Sequence, residues 1–340
     1  MDHVRAIRFL LHALRSRHPA SGDTVVLPMD GPDPDVEVLR YRPARPWGAV
    51  LALHGMTRMG AHDPRMVALG WALCRVGLEV WVPDIDDVRA LRLLPTSAAR
   101  VGRIIAACHQ HLGPHYPGVG LFGASFCAGL GLRAVSDPTV GRHVLGVLAL
   151  GTYADPGACL ARCLESETMD PYARLIVLRN YLEQLAGASE GVLQALDVAI
   201  DDNWHARSPG AFPTVLAALP RGQRQALNAY LFDLPTRRRL ARQLLDHASG
   251  WVDPLGVLDV ADRIAPPVVL VHGVDDDVIP AEESSRLHAR LRGEGRDSHL
   301  LLTRLLSHGD ARLGSALVEL PLAIGAFARW FRLMRRPAVA

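Results

Sequence analysis

The run Val119-Gly120-Leu121-Phe122-Gly123-Ala124-Ser125-Phe126-Cys127 decides the architecture of this chain. An apolar strand segment enters a turn of glycine and alanine, and a helix rich in small residues follows, with Ala128, Gly129 and Gly131. A serine on so sharp a strand-to-helix turn has its Oγ pushed above the sheet, at the N-terminus of a helix. The flanking residues must be small, because strand and helix pass close together. The usual pattern is Gly-x-Ser-x-Gly, and here Cys127 holds the last position. Cysteine is small, so the variant is expected to be tolerated. Taken alone, the run also fits a glycine-rich turn before an ordinary helix, and the rest of the chain has to decide between the two.

Outward from Ser125, short apolar runs alternate with helical patterns. Val36 to Tyr41 alternates like an edge strand, and Gly48 to Leu53 is an apolar run ending at His54-Gly55. Asp63-Pro64 reads as an N-cap with proline at the first helical position, and Gly77 stops that helix after Arg75. Leu78 to Val82, Gly118 to Phe122, Leu145 to Leu150, Val268 to Val271 and Leu300 to Leu305 read as further strands, and Ala98 to Leu112 as a helix. Short apolar strands separated by helices predict an α/β fold, a mostly parallel central sheet flanked by helices.

Two regions stand apart. Residues 1–34 read as an N-terminal helix and a loop. Val4, Ile7, Leu11 and Leu14 form one stripe of a basic helix over residues 1–18, with Arg5, Arg8 and Arg15 elsewhere. It is expected to dock on the body, with peripheral membrane or partner contact as the alternative. Residues 19–34, rich in Pro, Gly and Asp, read as the loop. Ala154 to Leu255 is patterned as helix without a convincing strand, far longer than the dozen or so residues a crossover needs. It reads as an inserted helical cap over the strand ends, carrying apolar residues such as Leu175, Ile176, Leu178, Tyr181 and Leu182. The sheet core is then 35–153 with 256–340.

Composition narrows the function. The chain of 340 residues has a net charge of +2 and every basic residue is arginine, so no global field calls for nucleic acid. No run reaches the ~20 apolar residues of a membrane span, and no signal peptide is expected. Five cysteines without paired spacing read as reduced thiols in a cytoplasmic protein. Cys159 and Cys163, spaced i, i+4, lack a histidine to complete a metal site, so neither metal nor cofactor is expected.

Two further motifs carry chemistry. Val268-Val269-Leu270-Val271-His272-Gly273 leads into Val274-Asp275-Asp276-Asp277-Val278-Ile279-Pro280, and Ser307-His308-Gly309 follows the last strand. The order is serine, acid, histidine, each after a strand. Here the sequence resembles the α/β-hydrolase superfamily, over about residues 36–153 and 255–335. The resemblance implies Ser125 as nucleophile, His308 as general base and Asp276 as the acid that orients the histidine. The motif His-Gly-x-x-Asp-x-x-Val-Pro, laid on His272, Gly273, Ile279 and Pro280, sets the acid at Asp276. Asp275 and Asp277 then cap and solvate the loop. Asp155 is a weaker candidate, because some members carry the acid after that earlier strand. His54-Gly55-Met56 is similar to the family's His-Gly-x motif, which implies an oxyanion hole of the Met56 and Phe126 backbone N–H groups. His54 is then a structural brace.

The resemblance implies a serine hydrolase of carboxylic esters or thioesters. Acyl transfer or thioester release from an acyl carrier stays open, as does a catalytically idle binding protein on the same fold. The run Arg237-Arg238-Arg239 with Arg242 reads as a solvated helix face, with docking of an acidic carrier or an anionic substrate group as the alternative. His62, Asp63 and Arg65 are explained by helix capping. Trp204 and His205 could line a pocket if the insertion covers the site.

Overall fold

Strands that read as continuous apolar runs must be covered on both faces, and the innermost ones are. The computed structural model describes residues 1–13, 22–31, 33–308 and 318–335. These form two compact units, residues 1–155 with 255–340, and residues 156–254.

The first unit holds one sheet of eight strands: β1 (Asp23–Leu27), β2 (Val36–Tyr41), β3 (Gly48–Leu53), β4 (Leu78–Pro83), β5 (Val119–Ala124), β6 (Val144–Leu150), β7 (Val268–Gly273) and β8 (Ser298–Thr303). Their spatial order is β1-β2-β4-β3-β5-β6-β7-β8. The pairs β1–β2 and β2–β4 are antiparallel and all others are parallel. Every residue of β3, β4 and β7 is buried. The longer helices of this unit are α1 (Asp2–Ala13), α2 (Pro64–Arg75), α3 (Ser97–Leu112), α4 (Phe126–Ala134), α11 (Ala281–Gly293) and α12 (Leu320–Leu333). Helices α1, α2 and α12 close one face around Phe122, Leu148, Val269 and Trp330. Helices α3, α4 and α11 lie on the other. The mostly parallel sheet flanked by helices is the fold class expected from the sequence.

Two expectations for residues 1–34 are corrected. The segment read as loop contains β1, which pairs along its length with β2. Val25, Val26 and Leu27 are a strand-forming run too short to stand out among the Pro, Gly and Asp around it. As the outermost strand β1 is mostly exposed, and β2, expected at the edge, is the second strand.

Helix α1 does dock, but not through its aliphatic stripe. Val4, Ile7 and Leu11 are 58%, 42% and 60% exposed, and Ala6 and Phe9 are buried instead. Leu14 and Arg15 lie outside the described residues. One aromatic ring outcompetes three aliphatic side chains, because it meets a ready-made aromatic surface. Phe9 sits 4.9 Å from Phe327 and 5.9 Å from Phe331 between ring centroids. Phe9→Ala is therefore expected to cost about 3 kcal/mol, and Ile7→Ala less than about 0.5 kcal/mol. Chemical denaturation of the two variants checks this, and equal losses would mean that the helix docks by its aliphatic stripe.

The second unit is built of helices, chiefly α5 (Pro156–Glu165), α6 (Pro171–Gln184), α7 (Glu190–Trp204), α8 (Phe212–Ala218), α9 (Arg221–Phe232) and α10 (Leu234–Asp246). Asp170 and Asp233 cap α6 and α10, each followed by proline at the start of the helix. Arg179 ties α6 to α7 through Asp197, at 3.0 Å. The arginine run is only partly a solvated face. Arg238, Arg239 and Arg242 are exposed, but Arg237 is buried beside Arg174, and both donate to the Ser166 carbonyl. Positions 237, 240, 241 and 244 share the buried stripe of α10, a spacing legible in the sequence.

Candidate active site

The site begins where β5 ends. Ser125 follows Ala124 with φ 55° and ψ −130°, a backbone that a side-chain-bearing residue adopts only when its surroundings fix it. Here the Ser125 N–H donates to the Leu150 carbonyl at 2.7 Å and the Ser125 carbonyl accepts from the Ala128 N–H at 3.0 Å. The close approach that the small residues allow falls between Gly123 and Ala128. A Cβ on Gly123 would lie 2.6 Å from Ala128 Cα. Position 127 is not at that contact, which explains why cysteine can replace glycine there. Cys127 is fully buried, and burial pushes its thiol well above the ordinary range.

A second close approach brings the acid and histidine loops together. A Cβ on Gly273, the last residue of β7, would lie 2.5 Å from the Leu306 carbonyl oxygen. Only a glycine lets the loop after β8 pass so near. It delivers His308 onto Asp276: Nδ1 lies 2.9 Å from each carboxylate oxygen. On its other side His308 Nε2 is 2.9 Å from Ser125 Oγ. A carboxylate can only accept, so Nδ1 carries the proton and Nε2 presents its lone pair to the serine hydroxyl. The three residues named from the sequence thus stand in one hydrogen-bonded chain. Gly309, beside the histidine, lies outside the described residues.

Asp276 is held on all sides. Its Oδ1 accepts from the Val278 and Ile279 N–H groups, each at 2.9 Å, and its side chain is 1% exposed. Burial works against its ionisation, but hydrogen bonds from His272 and His308 outweigh that and hold the carboxyl well below the usual range. His272 has a part that the sequence reading did not assign. Its Nε2 lies 2.9 Å from the Ile279 carbonyl and 3.4 Å from Asp276, and its Nδ1 lies 2.6 Å from Ser284 Oγ. A carbonyl needs a donor, so Nε2 is protonated and Nδ1 accepts from the serine. Buried at the end of β7, the ring fixes the loop that carries the acid.

The other acids lie elsewhere. Asp275 and Asp277 are exposed. Asp155 is 3.8 Å from Arg286, and its N–H is held by buried Glu283, which also takes the Ala154 N–H. Glu283 was not foreseen. It is the third residue of α11, next to another glutamate, and nothing in the sequence marks it as the buried anchor of a distant loop.

The loop after β3 lies against the serine. The nearest neighbour of a Cβ on Gly55 would be Ser125 Cβ, at 3.6 Å. Met56 follows on this loop, and Phe126 is the first residue of α4. His54 braces the loop from below. Its Nδ1 donates to the Gly55 carbonyl at 2.8 Å and its Nε2 accepts from the Ile85 N–H at 3.0 Å, a pattern that needs the neutral ring. Burial holds it below the ordinary imidazole range, against the pull of the Gly55 carbonyl and Asp84. Asp63 caps α2 and takes the Arg65 guanidinium on both oxygens.

In the helical unit, Cys159 and Cys163 are both buried. Trp204 packs tilted against Tyr172, with ring centroids 5.2 Å apart, and His205 is exposed. Among the described residues, no helix is long and apolar enough to cross a membrane.

No family model matches the sequence, and no curated protein matches it. Similarity to solved structures is extensive. An acylaminoacyl peptidase of Pyrococcus horikoshii aligns over 94% of this chain at 11% identity, with a TM-score of 0.53. A dipeptidyl peptidase 4 of Porphyromonas gingivalis aligns over 92%, at 10% identity and a TM-score of 0.52. The chain spans 42% and 36% of the length of these two peptidases. An esterase of Pyrococcus furiosus is matched nearly end to end, over 94% of this chain and 95% of that one, at 14% identity and a TM-score of 0.51. Likeness at such identities is likeness of fold.

Proposed function

Because the chain has the α/β-hydrolase fold, we propose that it is a serine hydrolase that cleaves a carboxylic ester or thioester through an acyl-enzyme. The observation that carries this reading is the chain Ser125 Oγ to His308 Nε2 at 2.9 Å and His308 Nδ1 to Asp276 at 2.9 Å. A serine hydroxyl is a weak nucleophile until a base stands at hydrogen-bond distance and a third group orients that base. In the proposed reaction Ser125 Oγ attacks the acyl carbonyl and its proton passes to His308 Nε2. The oxyanion so formed accepts from the N–H groups of Phe126 and Met56, each worth about 3 kcal/mol in the transition state. Collapse expels the alcohol or thiol, which takes the proton from His308. Water, activated by the same nitrogen, releases the acid and restores Ser125. Asp276 keeps Nδ1 protonated and balances the imidazolium without accepting the proton itself.

An activated serine reacts with a fluorophosphonate, and an ordinary one does not. Incubation is expected to give one adduct per chain, mapped to Ser125 by mass spectrometry. Absence of the adduct under conditions that label a known esterase would reject the reading in favour of a binding protein. Parallel assays of p-nitrophenyl and coenzyme A acyl esters then separate ester from thioester hydrolysis.

A further inference from the structure

The first unit has a second concave site, at the end of the strands remote from Ser125. A cavity of about 470 Å³ opens where β4 begins, within the volume range of small-molecule sites. The register makes Glu79 of β4 level with Ala49 of β3. It likewise makes Val50 level with Gly120 of β5, so Ser125 lies six residues further along the strands. At ~3.3 Å per residue that is roughly 20 Å. The cavity is therefore not part of the site described above.

At its centre Glu79 is buried, the only carboxylate among the lining residues, and its acceptor capacity is engaged. Oε1 accepts from Arg40, whose Nη2 is 2.6 Å away, and from Trp81 Nε1 at 3.1 Å. Oε2 accepts from the Tyr116 hydroxyl at 2.9 Å. Burial and Glu79 push that phenol up to about 12, so it remains the donor. Glu79 thus offsets the charge of Arg40. Arg42 shares the same carboxylate more loosely: its Nε pairs with Oε2 at 3.6 Å, and its side chain is 61% exposed at the cavity. His111, tilted against Trp81 with ring centroids 5.1 Å apart, and exposed His115 add imidazoles to the same wall. Arg40, Arg42 and Glu79 sum to +1, and the one carboxylate among the lining residues is taken.

We propose that this cavity binds a small multivalent anion, a phosphate ester or a polycarboxylate, with Arg42 as the principal contact and Glu79 as the group that holds the wall in place. The concave, cationic and donor-rich lining supports that class over an apolar or cationic ligand, which would meet two guanidinium groups sharing a single carboxylate.

The test is calorimetric titration of the intact chain with inorganic phosphate, adenosine monophosphate and citrate, at ionic strength matched with sodium chloride. Saturable binding of at least one at a single site is expected, and the arm that binds most tightly tells phosphate from carboxylate. Arg42→Gln is expected to weaken that binding at least tenfold, and Arg45→Gln, on an exposed neighbour outside the cavity, to leave it unchanged. Melting of the ligand-free variants checks that each is folded. Failure of all three anions to bind, or equal binding by Arg42→Gln and the parent, overturns the proposal. Neither outcome depends on whether Ser125 is catalytic.

Discussion

Ser125→Ala is expected to reduce kcat on a good ester by a factor of 10³ or more while the chain stays folded. The loss follows from the proposed mechanism: without Oγ no acyl-enzyme forms, and only substrate binding and the oxyanion donors remain, which in other triads leave 10³–10⁴ over water. The structural cost should be small. The change removes one hydroxyl, whose partner His308 keeps its bond to Asp276. Alanine meets the positive φ of position 125 no worse than serine, since the β-carbon sets that strain. The backbone bonds to Leu150 and Ala128 that impose the turn do not involve the side chain. Circular dichroism and thermal melting should therefore overlay the parent, and p-nitrophenyl ester turnover should be near background. Retention of more than a few per cent of the parent rate would show that Ser125 is not the nucleophile.

How much of this was legible in the sequence follows from how local each cause is. The strands around Ser125 could be read because their apolar runs are dictated by burial on both faces, and Asp63-Pro64 because a cap is a short-range hydrogen bond. Ser125, His308 and Asp276 were named from motif and order, and 183 positions of chain separate the serine from the histidine it faces. What was illegible depends on tertiary neighbours. Strand β1 exists because β2 offers it an edge. Phe9 is buried in preference to the aliphatic stripe because α12 presents Phe327 and Phe331. Glu283 and His272 work on loops that only the folded sheet brings to them. Arg237 is the exception, since its place on the buried stripe of α10 was there to be counted.

Asp276→Asn is expected to lower kcat by a factor on the order of 10⁴, by analogy with other triads, and the hydrogen bonds say why. Oδ1 accepts from two backbone N–H groups, Val278 and Ile279. An asparagine must therefore keep its carbonyl oxygen on that side, since an NH₂ there would oppose two donors in a buried place. Its NH₂ then faces His308 Nδ1 and His272 Nε2. Oδ1 is also 2.9 Å from Nδ1, but it already accepts from two backbone N–H groups, so the NH₂ at the Oδ2 position favours Nδ1 as the acceptor and the ring proton on Nε2, towards Ser125 Oγ. The histidine is then in the tautomer that cannot take the serine proton, although no atom has moved far. His272 cannot relieve the clash by reversing its own tautomer, because the Ile279 carbonyl requires a proton on Nε2. Some loss of stability should accompany the loss of rate, about 1–3 kcal/mol for a buried donor without an acceptor. Asp275→Asn and Asp277→Asn change exposed side chains, and Asp155→Asn changes one 3.8 Å from Arg286, so all three should stay within a few-fold of the parent. His308→Gln should lose activity as fully as Ser125→Ala. Steady-state kinetics across these variants decides the acid: if Asp155→Asn proves crippling and Asp276→Asn mild, the orienting carboxylate is the one after β6, and the register assigned to the loop after β7 is wrong.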